Sequence, residues 1–304
     1  MTQAAAPARP FGRLITAMVT PMKADGSLDV DGAAKLAGYL VDEQRNDALV
    51  ISGTAGESPT TTEAEKETLL RTVVEAVGDR AHILAGVGTN DTRHTIELAR
   101  SAEKAGANGL LVVTPYYNKP PQSGLLRHFT AVADATGLPM LVYDIPHRSG
   151  IPIEGDTLCR LAEHERIVGV KDAKVSLAEA SRVIAQTGLA YYSGEDAATL
   201  PMLAIGAVGV VGTSTHFSGP GTKDMIEAYE RGDVAAALAR HRELLPIFTG
   251  IFRTQGTILV KAGLNDRGLP GGPVRSPLVD ATEAELTQLR ADLAAAGLGA
   301  GAQR

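Results

Sequence analysis

One cysteine, Cys159, stands among 304 residues. That excludes an internal disulfide and any metal site built from several cysteines. Cys159 precedes Arg160 in a helix-like stretch and is expected to be a buried structural thiol. The seven histidines show neither HxH nor HExxH spacing, so metal-dependent chemistry is disfavoured and neither a metal nor a cofactor is expected. Tryptophan is absent and aromatics make up only 4%. No run approaches the ~18 apolar residues that would cross a bilayer. The opening MTQAAAPARP lacks the apolar stretch of a secretory signal. The chain therefore reads as cytoplasmic, with no membrane partner. Basic residues are scattered and the net charge is −6, which leaves no positive surface for a phosphate backbone and argues against nucleic acid.

What the chain does have is small residues and short apolar runs. Thirty-three glycines and a 44% hydrophobic content suit tight turns and close packing. Eight apolar runs recur: Leu14–Val19, Ala48–Ser52, His82–Val87, Gly109–Thr114, Pro139–Tyr143, Ile167–Lys171, Ala190–Ser193 and Val208–Val211. Segments with helical periodicity lie between them, among them Glu63–Val77, Arg93–Ala105 and Leu177–Gln186. Strands alternating with helices imply parallel pairing. Eight units in some 220 residues predict an α/β fold closed as a (β/α)8 barrel rather than an open sheet, and no GxGxxG follows the first run. From Thr222 the strand signal fades. Asp224–Arg231, Val234–Phe252 and Glu283–Ala296 predict helices, so the domains read as a barrel with an N-terminal tail over 1–221 and a helical extension over 222–304. The final AAAGLGAGAQR is expected to fray.

In such a barrel the reactive side chains lie at the carboxyl ends of the strands. Lys171 closes Ile-Val-Gly-Val-Lys. Desolvation there would lower its pKa and free a neutral amine for imine formation with a keto acid; a lysine that snorkels to the rim and pairs with Asp172 is the plainer alternative. Tyr143 closes the fifth run, where a phenol could relay protons or simply pack. Arg148, five residues on, could clamp a carboxylate with two parallel hydrogen bonds or lie on the surface. The loop Gly53-Thr54-Ala55-Gly56-Glu57-Ser58 could converge backbone N–H groups on a small carboxylate, with the Thr54 hydroxyl bridging two phenols. Tyr116 and Tyr117 follow the fourth run, with one facing the site and the other an interface, or both at an interface.

The strings GTAGESPTTT, VTPYYNKPPQ, YDIPHRSG, VGVKDAK and YYSGED together resemble the dihydrodipicolinate synthase / N-acetylneuraminate lyase superfamily from about Phe11 to the final helices. Within it they look most like the dihydrodipicolinate synthase branch. The resemblance implies an aldolase-type lyase in lysine biosynthesis that joins pyruvate to aspartate-semialdehyde through a covalent imine on Lys171. It implies Tyr143 as general acid/base, linked by Thr54 to a Tyr117 that arrives from a neighbouring subunit. Thr54, Ala55, Gly194 and Val211 would surround pyruvate, and Arg148 would hold the carboxylate of the aldehyde. The implied assembly is a homotetramer, a dimer of dimers.

Three positions depart from that pattern: Ala55 for a second threonine, His147 for a glycine, and Gly212-Thr213 for a Ser-Val pair. His147 and Thr213 are thus candidate specificity residues. A sibling pyruvate aldolase with another acceptor is the alternative reading, and a silent keto-acid-binding barrel a remoter one. Asn90 and Tyr116 match the family's lysine feedback site, but His94 stands where an acid is usual. A partly cationic imidazole would repel the lysine amine, so weak or absent inhibition by lysine is expected.

Overall fold

A computed structural model describes residues 8–299. Eight strands pair in parallel and in chain order, and the last closes on the first: β1 (Leu14–Ala17), β2 (Ala48–Ile51), β3 (His82–Gly86), β4 (Gly109–Val113), β5 (Met140–Asp144), β6 (Ile167–Asp172), β7 (Ala190–Ser193) and β8 (Gly209–Gly212). The fold is the expected (β/α)8 barrel, each strand within two residues of its apolar run. The helices are α1 (Val30–Gly38), α2 (Glu63–Val77), α3 (Thr92–Lys104), α4 (Gln122–Asp134), α5 (Pro146–Ser149), α6 (Gly155–Leu161), α7 (Leu177–Gln186), α8 (Thr199–Ala204), α9 (Thr215–Glu230), α10 (Val234–Gly250), α11 (Gly256–Asp266) and α12 (Glu283–Ala295).

Alternation along the strands sorts the apolar residues into two cores. Ile15, Val50, Leu84, Leu111, Leu141, Tyr192 and Val211 fill the barrel interior. Leu14, Leu49, Ile83, Leu110, Val142, Val170 and Val210 pack outward under the helices. Both faces are buried, which is why the strands read as near-continuous apolar runs. Local signals set the helix starts. At α2, Thr62 accepts from the Glu65 N–H while Glu65 reaches back to the Thr62 N–H, a capping box that contributes about 1 kcal/mol.

Helix α9 runs unbroken through residue 222, so the expected domain boundary falls inside a helix and the extension grows directly out of the barrel. Helix α11 adds an element that the hydrophobic pattern did not single out; it is buried almost all round, so it lacks a one-sided stripe. The expected fraying is corrected as far as Leu298, whose N–H donates to the Leu293 carbonyl and whose own carbonyl accepts from Arg267. Residues 300–304 of that tail lie outside the described residues. Cys159 is on α6 as expected but only half-buried, with its thiol 3.4 Å from Gln186 Oε1.

Candidate active site

A one-residue irregularity in β6 decides where the lysine points. Ile167 pairs with Met140 on β5, but the next pair is Gly169 with Leu141, so β6 holds one extra residue there. Ile167 faces the helices, and strict alternation would send Lys171 to the same side. The extra residue shifts the phase. Val170 then faces the helices, and Lys171 follows its partner Tyr143 into the barrel mouth. Glycine is required at the irregularity: a Cβ on Gly169 would collide with the Ala190 carbonyl and come within 2.9 Å of Leu141 Cδ2.

Lys171 is 4% exposed, and its Nζ lies 4.2 Å from the centre of the Tyr143 ring. Burial lowers its pKa from 10.5 to about 8; Asp196 and Glu195 hold it up, while Arg148 pushes it down. Asp172 does not pair with it. The Asp172 carboxylate instead accepts from the N–H groups of Lys174 and Val175, both at 2.8 Å. Tyr143 is also buried, which raises its pKa, while Arg148 and the neighbouring Thr54 hydroxyl pull the other way.

These groups share a cavity of about 630 Å³ at the carboxyl end of the barrel. Thr54, Ala55, Tyr116, Tyr117, Tyr143, His147, Arg148, Lys171, Gly194 and Thr213 all line it. Val211 does not; the structure puts it in the interior core beneath the cavity, because it is inward-facing and set below the strand end. His147 is pushed below its ordinary pKa by partial burial and by Arg148 beside it.

Backbone strain concentrates around the mouth. Ser52 and Glu57 bracket the β2 loop with φ of 58° and 55°, and Tyr117 after β4 has φ 73°. Non-glycine residues adopt such angles only where the surroundings enforce them. Tyr117 is 89% exposed, projecting from the single chain. Within the β2 loop, the N–H groups of Thr54 and Ala55 donate to no protein acceptor among the described residues.

Two groups escaped the sequence reading. Asp196, 1% exposed, accepts from Ser214 Oγ at 2.7 Å and from the Thr213 N–H; burial raises its pKa. Gly212 makes room for it, since a Cβ there would lie 2.6 Å from Asp196 Oδ1. An acid pair at the end of a barrel strand, Glu195-Asp196, was the available signal. The second group is the wall Phe252, Thr254, Gln255 and Thr257, delivered from the extension far along the chain.

At the expected feedback position, Nε2 of His94 lies 2.9 Å from Oε1 of Glu63. A carboxylate supplied by α2 thus stands beside the imidazole. Among the described residues no helix is long and apolar enough to cross a membrane, and no cluster of three or more His, Cys, Asp or Glu is placed to hold a metal.

The model of the dihydrodipicolinate synthetase family matches residues 10–296. A 4-hydroxy-tetrahydrodipicolinate synthase of Acidothermus cellulolyticus is 69% identical, over 98% of this chain and 96% of that relative. The protein called 4-hydroxy-tetrahydrodipicolinate synthase 2 of Streptomyces coelicolor is 60% identical, over 98% and 99% of the two chains. The crystal structure of dihydrodipicolinate synthase from Cyanidioschyzon merolae with lysine bound superposes with a TM-score of 0.93 at 42% identity, covering 96% of this chain and 100% of the other.

Proposed function

The chain belongs to the dihydrodipicolinate synthetase family, and on that premise we propose that Lys171 is the Schiff-base lysine of a lyase condensing pyruvate with L-aspartate-4-semialdehyde to 4-hydroxy-tetrahydrodipicolinate. The observation that carries this reading is an amine 4% exposed, pKa about 8, set 4.2 Å from the Tyr143 ring in a cavity that can hold two small acids.

The neutral Lys171 amine attacks C2 of pyruvate, and the carbinolamine loses water as Tyr143 returns a proton to the departing oxygen. Loss of a C3 proton from the iminium gives the enamine, whose C3 attacks the aldehyde carbon. The amino group of the second substrate then displaces Lys171 from C2, which closes the ring and frees the enzyme. The Thr54 and Ala55 N–H groups hold the pyruvate carboxylate, Gly194 closes the pocket beside it, and Arg148 clamps the carboxylate of the aldehyde. No cofactor is needed, because the covalent imine itself supplies the electron sink.

Tyr117, 89% exposed and held at a positive φ, completes the proton relay in a neighbouring subunit through Thr54 and Tyr143. Activity then requires a dimer, and a cytoplasmic homotetramer built as a dimer of dimers is the proposed assembly. Ala55, His147 and Thr213 line the same cavity and shape the choice of acceptor.

The test is borohydride reduction with pyruvate followed by peptide mass spectrometry, beside a coupled assay with aspartate-4-semialdehyde. An adduct on Lys171 and robust turnover are expected. An unmodified chain would refute the imine, and an intact imine without turnover would move the assignment to a sibling aldolase.

A further inference from the structure

The loop Gly53–Ser58 has two sides. One carries the unpartnered N–H groups of Thr54 and Ala55 at the cavity; the other is tied to the C-terminal extension. The Ala55 carbonyl accepts from Thr257 Oγ1 at 3.1 Å. Glu57, 3% exposed and in the left-handed region at φ 55°, is not among the cavity-lining residues. Its Oε1 lies 2.5 Å from Lys261 Nζ on α11, and its Oε2 accepts from the Arg275 N–H at 2.8 Å. Lys261, 1% exposed, donates also to the Pro273 carbonyl at 2.7 Å.

Burying two opposite charges gains little over an apolar pair of the same volume, because each gives up its hydration. A buried pair whose carboxylate oxygens both accept, and whose ammonium donates twice, is better at fixing one geometry than at adding stability. Here the geometry fixed is a strained loop bearing two N–H groups that await an acceptor.

We propose that Glu57 and Lys261 are positioning residues for the carboxylate subsite of the first substrate, so that the C-terminal extension sets the affinity for pyruvate from outside the barrel. The inference rests on the assignment of Thr54 and Ala55 to the pyruvate carboxylate. Neither side chain touches substrate. Their effect passes through the backbone of the loop.

The test uses the full-length Lys261→Met and Glu57→Gln variants and the double variant Glu57→Gln/Lys261→Met, with steady-state kinetics for each substrate, thermal unfolding and borohydride trapping. Each single variant leaves one buried charge unpaired and loses thermal stability. The double variant, which buries no charge there, recovers much of that loss and keeps the experiment readable if a single variant does not fold. In every folded variant KM for pyruvate rises roughly tenfold or more, the energetic equivalent of about 1.4 kcal/mol, while KM for the aldehyde changes less than about twofold. A double variant with the wild-type KM for pyruvate overturns the proposal and leaves the pair purely structural, as does an equal rise in both KM values. Wild-type trapping is the control. Failure there refutes the imine reading itself, whereas intact trapping with unchanged pyruvate affinity in the variants refutes only the positioning role.

Discussion

The pKa of Lys171 lends itself to a quantitative test, because burial and three nearby charges act on it in known directions. Its ordinary value of 10.5 falls to about 8 in the barrel. At neutral pH the uncharged fraction is then about 10% instead of about 0.03%, a gain of roughly 300-fold in reactive amine. The rate of imine formation, measured by rapid mixing with pyruvate and a borohydride quench, should climb about tenfold per pH unit and level off above about pH 8. Asp196 supports the ammonium and Arg148 opposes it. Asp196→Asn should therefore move the midpoint down and Arg148→Ala should move it up. The same drop has a stability side. The unfolded chain holds this proton more tightly, so the buried ammonium costs about 3 kcal/mol below pH 8, and the cost fades as pH rises toward 10.5. Lys171→Met should thus unfold at a higher temperature than wild type at pH 7, with the advantage shrinking above pH 9. A trapping rate that still climbs tenfold per unit past pH 9.5, or midpoints that move the same way in both charge variants, would refute the reasoning.

Gly169→Ala forces a methyl against the Ala190 carbonyl at the β6 irregularity; a loss of about 1–3 kcal/mol in urea unfolding and a larger fractional loss of Lys171 trapping are expected, and unimpaired trapping would show that the phase shift does not depend on glycine. Tyr117→Phe should lower kcat by about 100-fold with thermal stability little changed, since the ring stays and only the hydroxyl is lost; an unaltered kcat would remove it from the relay. Val175 sits at φ 57°, held by the Asp172 carboxylate. Val175→Gly should relieve that strain but give up the side chain's packing against the outer core and loosen the unfolded chain, so the effects should offset to within about 1 kcal/mol, and a loss above about 2 kcal/mol in urea unfolding would show the turn to be unstrained.

Much of the molecule was legible in the chain because barrel strands are buried on both faces and therefore stand out as short apolar runs. The eight runs located all eight strands, and reactive residues at their ends located the cavity, since strand ends in this architecture open on one mouth. The side on which a residue falls was less accessible. Lys171 points inward only because β6 carries one extra residue, and a pairing irregularity depends on the partner strand rather than on local sequence. Val211 lay beyond reach for a related reason: depth along a barrel strand is set by register and tilt, so an inward residue at a strand end can sit beneath the cavity instead of on its wall. Contacts between distant segments were invisible altogether. Nothing near Glu57 announces Lys261, 204 positions away, and nothing near His94 announces Glu63. Periodicity determined the barrel, because burial and repeat are local, and the motif strings, through the family they resemble, singled out the candidate reactive side chains. Their pKa values, their aim and the clamp on the β2 loop came only with the tertiary structure, because desolvation and charge–charge contact depend on distances that the order of residues does not contain.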